Sequence, residues 1–481
     1  MKRISTTAIF WGWVLLPHAA LASGFVSARF GGEHGAPMQD HPTAIYYNPA
    51  GLALMSGTRV YLEGDVLYRT ASYTRPPEAI DRIVSPSETG GGTPAEAVSA
   101  NSGKSTLGNP VAAPFASVVT DLGRPNLGLG LGFYVPFGGA ATWDRAPTSL
   151  DKGTYPGAVD GSQRWFSIEG STRAVYVTLA GAYRFTGPKL SLGIGLNYVK
   201  NEVDTVRARN SSGRDDLMTG LGTLQEGRSL LVAEGTTFSA SAGIIWQPLD
   251  NVWVGASYQS QPGFGELTLP GMLTNKLGAA PVSPIGVEMV YSLPDVYRAG
   301  VRVRPTSKME VRLSADYVRW SVMDKQCLLE NNTPSRACIL DANGAEDTAR
   351  GGAGVVVNIQ RKWHDAMGFR LGGSYWMSRG LEIMGGIGYD GNAIPDATLD
   401  PTFYDMPKIW GTFGFRTLMG RALALEASML HAFYFERTTN PRQRHDTGES
   451  ITDSLPSRNP DPAGTYNQSI SGLLLALNYS F

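Results

Sequence analysis

The chain ends in Ser471-Gly-Leu-Leu-Leu-Ala-Leu-Asn-Tyr-Ser-Phe481, where side-chain character changes from one residue to the next. One set of alternate positions is mostly large and apolar: Ser471, Leu473, Leu475, Leu477, Tyr479 and Phe481. The other set is smaller or more polar: Gly472, Leu474, Ala476, Asn478 and Ser480. Because successive side chains of a β-strand point to opposite faces, this stretch predicts a strand with one apolar face.

The same alternation occurs upstream, at 423–436, 297–304 and 309–317, with charged residues opposite the apolar face. A soluble β-sandwich also alternates, but its buried face would not persist through so many segments with charges opposite. Beyond the N-terminus there is no apolar stretch near 18 residues, so helical membrane spans are not expected. Only a closed barrel satisfies all strand hydrogen bonds in hydrocarbon. The pattern predicts an all-β, transmembrane antiparallel barrel.

Counting such segments predicts about 14 strands. They lie near 58–73, 112–122, 126–137, 171–187, 189–207, 233–248, 251–269, 286–305, 307–325, 363–379, 381–392, 405–418, 421–437 and 467–481. Short turns alternate with long polar loops such as 74–111, 138–170, 326–362 and 438–466. This asymmetry is typical of outer-membrane barrels of Gram-negative bacteria. We therefore expect the barrel to extend over residues 58–481, with residues 1–57 forming separate N-terminal segments.

The N-terminus has the three parts of a secretory signal peptide. Lys2 and Arg3 precede an apolar run from Ala8 to Leu16, and Ala20-Leu21-Ala22 supplies the small residues that a signal peptidase needs. The alternative is a buried N-terminal helix. We expect a signal peptide over 1–22, cleaved after Ala22.

Composition excludes several function classes. The chain has 58 Gly and only 17% charged residues, and its net charge is −1. Without a basic patch, nucleic acid is not an expected partner. The six histidines show no metal-ligand spacing, and no nucleotide, dinucleotide or nucleophile-elbow motif appears in a fitting context. We expect no metal, no cofactor and no enzymatic activity.

The segment 23–57 is not barrel wall, because it is small, polar and rich in glycine and proline. It ends in Tyr46-Tyr-Asn-Pro-Ala-Gly-Leu-Ala53, and Asn-Pro followed by Gly suits a tight reversal. Such a segment either hangs in the periplasm or folds into the lumen. A barrel of about 14 strands is wide enough to leak unless something fills it. We therefore expect an N-terminal hatch that plugs the lumen.

These residues resemble the long-chain fatty acid outer-membrane transporters (FadL type), including aromatic-hydrocarbon relatives. The resemblance lies in Tyr47-Asn-Pro-Ala-Gly-Leu52 and continues through Leu293-Pro294-Asp295, Asp316-Tyr317 with Trp320, Gly388-Tyr389-Asp390 and Ile394-Pro395. It implies a fourteen-stranded barrel, diffusion-driven uptake of hydrophobic molecules, and lateral release beside a kinked third strand. It also implies hatch or gating roles for Phe25, Asn48, Pro49 and Ala50.

The third strand is unusual. Leu127, Leu129, Leu131, Phe133 and Val135 are expected on the lipid face. The expected lumen face and the end of the strand contain Gly128, Gly130, Gly132, Tyr134, Pro136, Gly138 and Gly139. Glycine weakens a strand, and proline cannot donate a ladder hydrogen bond. The two interpretations are a lateral exit near Tyr134 to Gly139 and plain packing space for the hatch.

Two further groups of residues are candidates for ligand contact. The first is an external entry groove, with apolar residues at helical spacing in 208–232 and two aromatic residues from the neighbouring loop: Leu217, Met218, Leu221, Leu224, Trp165 and Phe166. The second is a set of lumen charges on two neighbouring strands: Arg298, Arg302, Arg304, Glu310, Arg312 and Asp316. These charges either pair across strands or offer one arginine to a carboxylate head group.

Cys327 and Cys338 are the only cysteines and fall in one proposed external loop. In an oxidising compartment such a pair predicts a disulfide, worth about 3 kcal/mol on the chain-entropy model. We interpret it as a loop staple.

Three functions compete: a hydrophobic-substrate channel, most simply for long-chain fatty acids; a general or solute-specific porin; and an adhesion or structural barrel. A hatch favours the first. The expected partners are the hydrophobic substrate, outer-membrane lipid, and the barrel-assembly machinery through the strand that ends at Phe481; a monomer is expected. The sequence does not distinguish fatty acids from alkanes or aromatic hydrocarbons.

Overall fold

The structure, a computed structural model, describes residues 26–27, 29–85, 90–146, 155–210, 213–341, 345–441 and 460–481. Phe25 and the expected signal peptide lie outside the described residues. Among the described residues, no helix is long and apolar enough to cross a membrane.

Fourteen antiparallel strands form the wall of a closed barrel, which confirms the predicted fold class and strand number. They are β1 (Thr58–Arg75), β2 (Gly103–Thr120), β3 (Leu127–Thr142), β4 (Glu169–Phe185), β5 (Leu190–Arg209), β6 (Gly227–Leu249), β7 (Val252–Gln259 and Glu266–Lys276), β8 (Ser283–Ser292 and Val296–Thr306), β9 (Met309–Val318 and Lys325–Glu330), β10 (Val355–Gln360 and Ala366–Ser378), β11 (Leu381–Asp390), β12 (Lys408–Met419), β13 (Leu423–Tyr434 and Arg437–Thr439) and β14 (Gly464–Ser480). Each strand pairs with the next, and β14 pairs with β1, so the barrel closes.

The remaining described elements are short. The one α-helix of the described chain is α1 (Ala44–Tyr47). The 3₁₀ turns are Gly32–His34, Pro49–Leu54, Pro77–Ala79, Ala95–Ala100, Pro156–Asp160, Ser162–Trp165, Pro262–Phe264, Trp320–Val322, Thr348–Arg350 and Asp396–Thr398. Two-residue strands occur at Val26–Ser27, Ile83–Val84 and Thr93–Pro94.

Several strands extend into stretches that the sequence predicted to be loops. The second strand begins at Gly103 rather than near 112. All of Val355–Gln360, and all but the first residue of Lys325–Glu330, lie inside the predicted loop 326–362. These two segments pair with each other, and Lys325–Glu330 also pairs with Ser283–Ser292. Backbone pairing therefore continues where the apolar alternation, which marks contact with lipid, has stopped.

Burial follows the alternation. On β1, the side chains of Leu62 and Val66 are exposed on the outer surface, whereas Tyr61 and Asp65 are buried on the inner face. Leu179 on β4 and Ile194 on β5 belong to the same exposed apolar band. In a membrane this band contacts hydrocarbon, and the polar residues of the inner face stay away from lipid.

Candidate functional site

The seam between β2 and β3 is open for part of its length. Their register pairs run only from Thr120 with Leu129 to Phe115 with Tyr134. The two strands approach again higher up, where the Thr142 amide donates to Asn109 Oδ1 (3.1 Å). Between these two contacts the wall has a window, bounded by residues 110–114 of β2 and 135–141 of β3.

Two prolines leave β2 with a single backbone donor, the Ala112 amide, that faces β3 at the window. The Asp121 amide donates to the Gly57 carbonyl beside β1, and the Thr106 carbonyl accepts from the Asp144 amide on the β3 side. Backbone groups of successive strand residues alternate in direction, so the even-numbered residues of β2 face β3. Pro110 and Pro114 are both even-numbered, and proline has no N–H to donate.

On the other side of the window, β3 contains a bulge. Tyr134 lies opposite Tyr176 of β4, but Phe137 lies opposite Ala174, so β3 has one extra residue at Val135-Pro136. Val135 was expected on the lipid face; that prediction is wrong, because the bulge changes the alternation and leaves Val135 only 8% exposed. Above the bulge, the edge of β3 pairs with Val26–Ser27 at Gly138 and Phe137.

The window adjoins a cavity of about 180 Å³. Val111 and Ala113 of β2 and Val135 and Gly138 of β3 line its near side. The rest of the lining is aromatic, aliphatic and charged, and includes Tyr46, Trp320, Trp363, Trp410, Arg29, Arg69, Arg298 and Arg370. The window lies at the level of outward-facing Val66, which is opposite Ala112 in register. A molecule leaving the cavity here would enter the apolar band directly.

Residues 29–55, called the inner segment, are in contact with the inward faces of several wall strands. The Asn48 amide group donates to the carbonyls of Pro37 (2.6 Å), Ile244 of β6 (3.0 Å) and Ala256 of β7 (3.2 Å). Asn48 Oδ1 accepts from the Ala50 amide at 3.0 Å, which caps the turn that begins at Pro49. One asparagine thus fixes the turn and joins it to two strands.

Wall glycines make room for this turn. A Cβ atom at Gly128, Gly193 or Gly243 would overlap the backbone of Leu52, the backbone at Ala50 or the Asn48 side chain. Gly130 and Gly132 pack against Ile45 of α1. The glycines of β3 therefore accommodate the inner segment, whereas the window lies above them, beyond Tyr134.

Two histidines of the inner segment stack on each other with ring centroids 5.2 Å apart. His34 Nε2 lies 3.3 Å from Glu382, and His41 Nε2 lies 3.4 Å from Glu426. Burial lowers the pKa of His34, but the carboxylates of Glu382 and Glu426 outweigh it and raise the pKa above the ordinary value. Burial also lowers the pKa of His41, and there the shift remains downward. The pKa values of the two rings are therefore shifted in opposite directions.

The charges predicted for the lumen lie on the inner face and are paired. Arg298 is 3.8 Å from Asp316, Arg304 is 2.7 Å from Glu310, and Arg312 is 2.7 Å from the same carboxylate. Arg302 is 2.5 Å from Asp40 of the inner segment. Arg298 also stacks over the Tyr46 ring, with the guanidinium carbon 4.5 Å from its centroid. These charges hold the wall and the inner segment together.

Part of the expected entry groove is brought together outside the barrel. Trp165, Phe166 and Leu217 are buried in one cluster, and Met218 packs against it. The helical spacing in 208–232 does not correspond to a helix in the described part of that range: Gly213 and Gly222 have positive φ, and Met218 forms bridges with Gly92 and Leu224. Leu221 is 94% exposed and does not join the cluster.

A second cavity, of about 100 Å³, adjoins this cluster. Phe166 lines it together with Gly139 and Ala141 of β3, Leu231 of β6 and Met289 of β8. It therefore lies between the loop cluster and the upper part of the window.

The remaining candidates are the two cysteines, the C-terminal Phe481 and Phe25. Cys327 and Cys338 form a disulfide, and Cys327 also lines the second cavity. Phe481 follows the last residue of β14 and has an exposed ring, and its amide donates to the Thr58 carbonyl of β1. Phe25 cannot be placed, since it is outside the described residues. Arg69 of β1, which sequence reasoning missed, lines the main cavity and is buried without a carboxylate partner among the described residues.

The sequence as a whole matches the family model "Outer membrane protein transport protein (OMPP1/FadL/TodX)" over residues 19–480. No curated protein matches the chain. The fold is similar to that of a Pseudomonas aeruginosa FadL homologue, with TM-score 0.71, 15% identity, and coverage of 96% of this chain and 100% of that one. The Ralstonia pickettii toluene transporter TbuX gives TM-score 0.59 and 15% identity over 95% and 99% of the two chains. The Pseudomonas putida toluene transporter TodX gives 0.59 and 14% over 96% and 99%.

At these identities the structural likeness establishes the fold alone, whereas the family match extends over nearly the whole chain. The protein therefore belongs to the OMPP1/FadL/TodX family of Gram-negative outer-membrane barrels, which transport hydrophobic substrates and are not enzymes.

Proposed function

We propose that the protein takes up long-chain fatty acids and releases them sideways into the membrane through the window between β2 and β3. The observation that carries this proposal is that the window opens from the main cavity at the level of the lipid-facing apolar band. An alkyl chain that leaves there never enters water, and each methylene kept out of water is worth about 0.8 kcal/mol.

The path begins at the external loops. The ligand enters beside the cluster of Trp165 and Phe166, and the second cavity, which Phe166 lines, leads past Gly139 and Ala141 toward the window. Aromatic side chains such as Trp320 and Trp363 then supply apolar contact in the main cavity. Diffusion down the concentration gradient suffices to move the ligand along such a path.

The inner segment acts as the hatch. It contacts the wall through the Asn48 hydrogen bonds, the Arg302–Asp40 pair and the wall glycines. Because Val26–Ser27, which precede the inner segment, pair with the free edge of β3, a shift of this end would change the width of the path. We infer that the N-terminal end moves as the gate, in the region of Phe25, while the Asn48-Pro49-Ala50 turn stays in place.

In this proposal, residues 1–22 direct export of the chain and are then cleaved. Assembly in the outer membrane starts from the strand that leads to Phe481. A monomer suits the proposal, since lateral release needs the wall at β2 and β3 to contact lipid.

Uptake of labelled oleate and labelled toluene tests the proposal, in cells that lack their own transporter and express this chain. Oleate uptake supports the fatty acid channel, and toluene uptake alone would redirect it to aromatic hydrocarbons. Uptake of neither, with the barrel inserted, would contradict it. Strong ion conductance in planar bilayers would then favour a porin, and weak conductance an adhesion barrel.

A further inference from the structure

Arg69 of β1 is a buried cation with incomplete pairing. Its side chain is 2% exposed and lies on the inner face of the wall. Nε donates to Gln468 Oε1 at 2.7 Å, and Nη1 makes a long hydrogen bond of 3.4 Å to the Ala140 carbonyl. Nη2 has no hydrogen-bond partner in the described part of the chain. Burying a guanidinium without a counter-charge is costly, so its place in the cavity wall needs a reason.

The other cations around the main cavity have different surroundings. Arg370 pairs with Asp390 at 2.9 Å, and Lys408 pairs with Asp405 at 3.4 Å. Arg29 lies over the Trp410 ring, 4.2 Å from its centroid, much as Arg69 lies over the Tyr404 ring at 4.9 Å, but Arg29 is less deeply buried than Arg69. Arg69 is thus the fully buried cavity cation to which the described chain supplies no carboxylate.

Arg69 also has a specific position relative to the window. In the β1–β2 register it lies opposite Asn109, the residue that closes the upper end of the window. Its Nη1 reaches Ala140 on the far side of the window. Directly below it on the inner face, Leu67 of β1 and Val111 of β2 lie opposite each other and line the cavity. A negative group held at Arg69 would leave an attached alkyl chain beside these two residues.

We propose that Arg69 is the carboxylate receptor of the cavity and makes the channel select hydrophobic acids over neutral hydrocarbons of the same size. This inference rests on the proposed function and names the residue that determines its substrate class. A guanidinium presents parallel donors that match a carboxylate, and in a site shielded from water such a charge-assisted pair is strong. The carboxylate completes the hydrogen bonding of Nη2, and the alkyl chain extends from it toward the window.

The test compares oleate with oleyl alcohol, which has the same chain but no charge. Binding to the purified full-length barrel is followed through quenching of the cavity tryptophans, and uptake is measured in cells. Arg69→Met removes the charge and keeps an unbranched apolar side chain, and Arg69→Lys retains the charge. Arg184→Met is the matched control, since Arg184 Nη2 also donates to a glutamine, Gln247 (2.8 Å), but does not line either cavity.

Wild type and Arg184→Met should prefer oleate. Arg69→Met should lose about ten- to hundredfold in oleate affinity, the loss expected for a hydrogen bond to a charged group, and keep its affinity for oleyl alcohol. Arg69→Lys should recover part of the preference. An unchanged preference in Arg69→Met, or equal loss of both ligands, would overturn the proposal for Arg69. Uptake of both molecules by wild type without preference would also overturn the Arg69 proposal but would leave the proposed transport function intact. If wild type neither bound nor took up either molecule, both the Arg69 proposal and the transport function would be contradicted.

Discussion

Strand β2 has two neighbours, and it pairs with them very differently. With β1 it forms 18 register pairs, from Thr58 with Thr120 to Arg75 with Gly103. With β3 it forms 6, from Thr120 with Leu129 to Phe115 with Tyr134. The same strand, with the same side chains, is therefore complete on one edge and open on the other. The prolines of β2 face only one of these edges, and the bulge in β3 lies on that side too.

The comparison shows that backbone chemistry, more than side-chain polarity, determines where the wall opens. An opening in a membrane barrel leaves backbone groups without partners, which is costly in hydrocarbon. Pro110 and Pro114 reduce that cost because they have no N–H groups to satisfy. Val26–Ser27 reduces it further by pairing with the opposite edge at Phe137 and Gly138.

Deleting Pro136 should have the largest effect. The deletion removes the extra residue of the bulge, so Phe137 follows Val135 in regular register with Ala174 and β3 can continue beside β2. Oleate uptake should fall to near background. Uptake by cells is the measurement, with heat-modifiable electrophoresis to show that the barrel is folded.

Pro270→Val is the control for this experiment, because Pro270 is an outward-facing proline of β7 that lies opposite Glu288 of β8, away from the window. Normal oleate uptake by a folded Pro136 deletion variant would contradict the hypothesis that transport needs the open seam between β2 and β3.

Replacing both Pro110 and Pro114 with valine should have a smaller effect. The two new amides point toward β3 and favour pairing across the window, at about 1 kcal/mol for each hydrogen bond formed. Uptake should fall several-fold, and the amides of residues 135–141 should exchange more slowly with deuterium. If exchange slows and uptake is unchanged, the width of the window does not limit transport.

The inner segment lies against the glycines of β3 and β5 below the window, and Gly193→Val should displace it. The new side chain would overlap the backbone at Ala50, which must move. We expect higher ion conductance in planar bilayers while β2 and β3 stay as they are. Gly64→Val is the matched control, since no atom lies near the position of its new Cβ. Unchanged conductance in Gly193→Val would mean that the inner segment does not seal the lumen.

The two stacked histidines predict a smaller, pH-dependent effect. The pKa of His34 is raised, so its protonation favours the docked inner segment below about pH 6.5, and this contribution disappears as the pH rises through the docked value. The pKa of His41 is lowered, so its contribution is present above about pH 6.5 and is lost as the pH falls.

Relative to wild type, acidification should therefore loosen the inner segment more in His34→Gln and less in His41→Gln, as measured by protease accessibility. His431→Gln is the control, because His431 is partly exposed on the wall and bonds to Ser471. Equal pH responses in all three variants would contradict this assignment.

Much of the fold could be predicted from the sequence because lipid on one side and a polar lumen on the other impose a period of two. The fourteen strands and the inward direction of Arg298 and Glu310 follow from that period. The start of β2 was missed because Pro110 interrupts the alternation of side chains in the sequence. The strand nevertheless continues through Pro110, because its edge toward β1 stays paired. The side chosen for Val135 was wrong because one extra residue reverses the alternation, and a bulge has no local signature strong enough to place it.

The candidate site was less predictable. Tyr134 and Pro136 were chosen for their residue types, but the window also needs Pro110 and Pro114, whose role depends on the direction of their backbone groups. Arg69 looked like any polar residue of an inner face. Its partner Gln468 is 399 positions away, and the lack of a carboxylate partner becomes visible only when the strands are assembled.

The most direct test of lateral release is photo-crosslinking with a fatty acid that carries a diazirine near the end of its alkyl chain. The labelled protein, in outer-membrane vesicles, is digested and the attachment sites are identified by mass spectrometry. The account predicts labelling at residues 110–114 and 135–141, and loss of that labelling in the Pro136 deletion. Labelling confined to the inner segment and the periplasmic end of the lumen, with neither edge of the window modified, would contradict it.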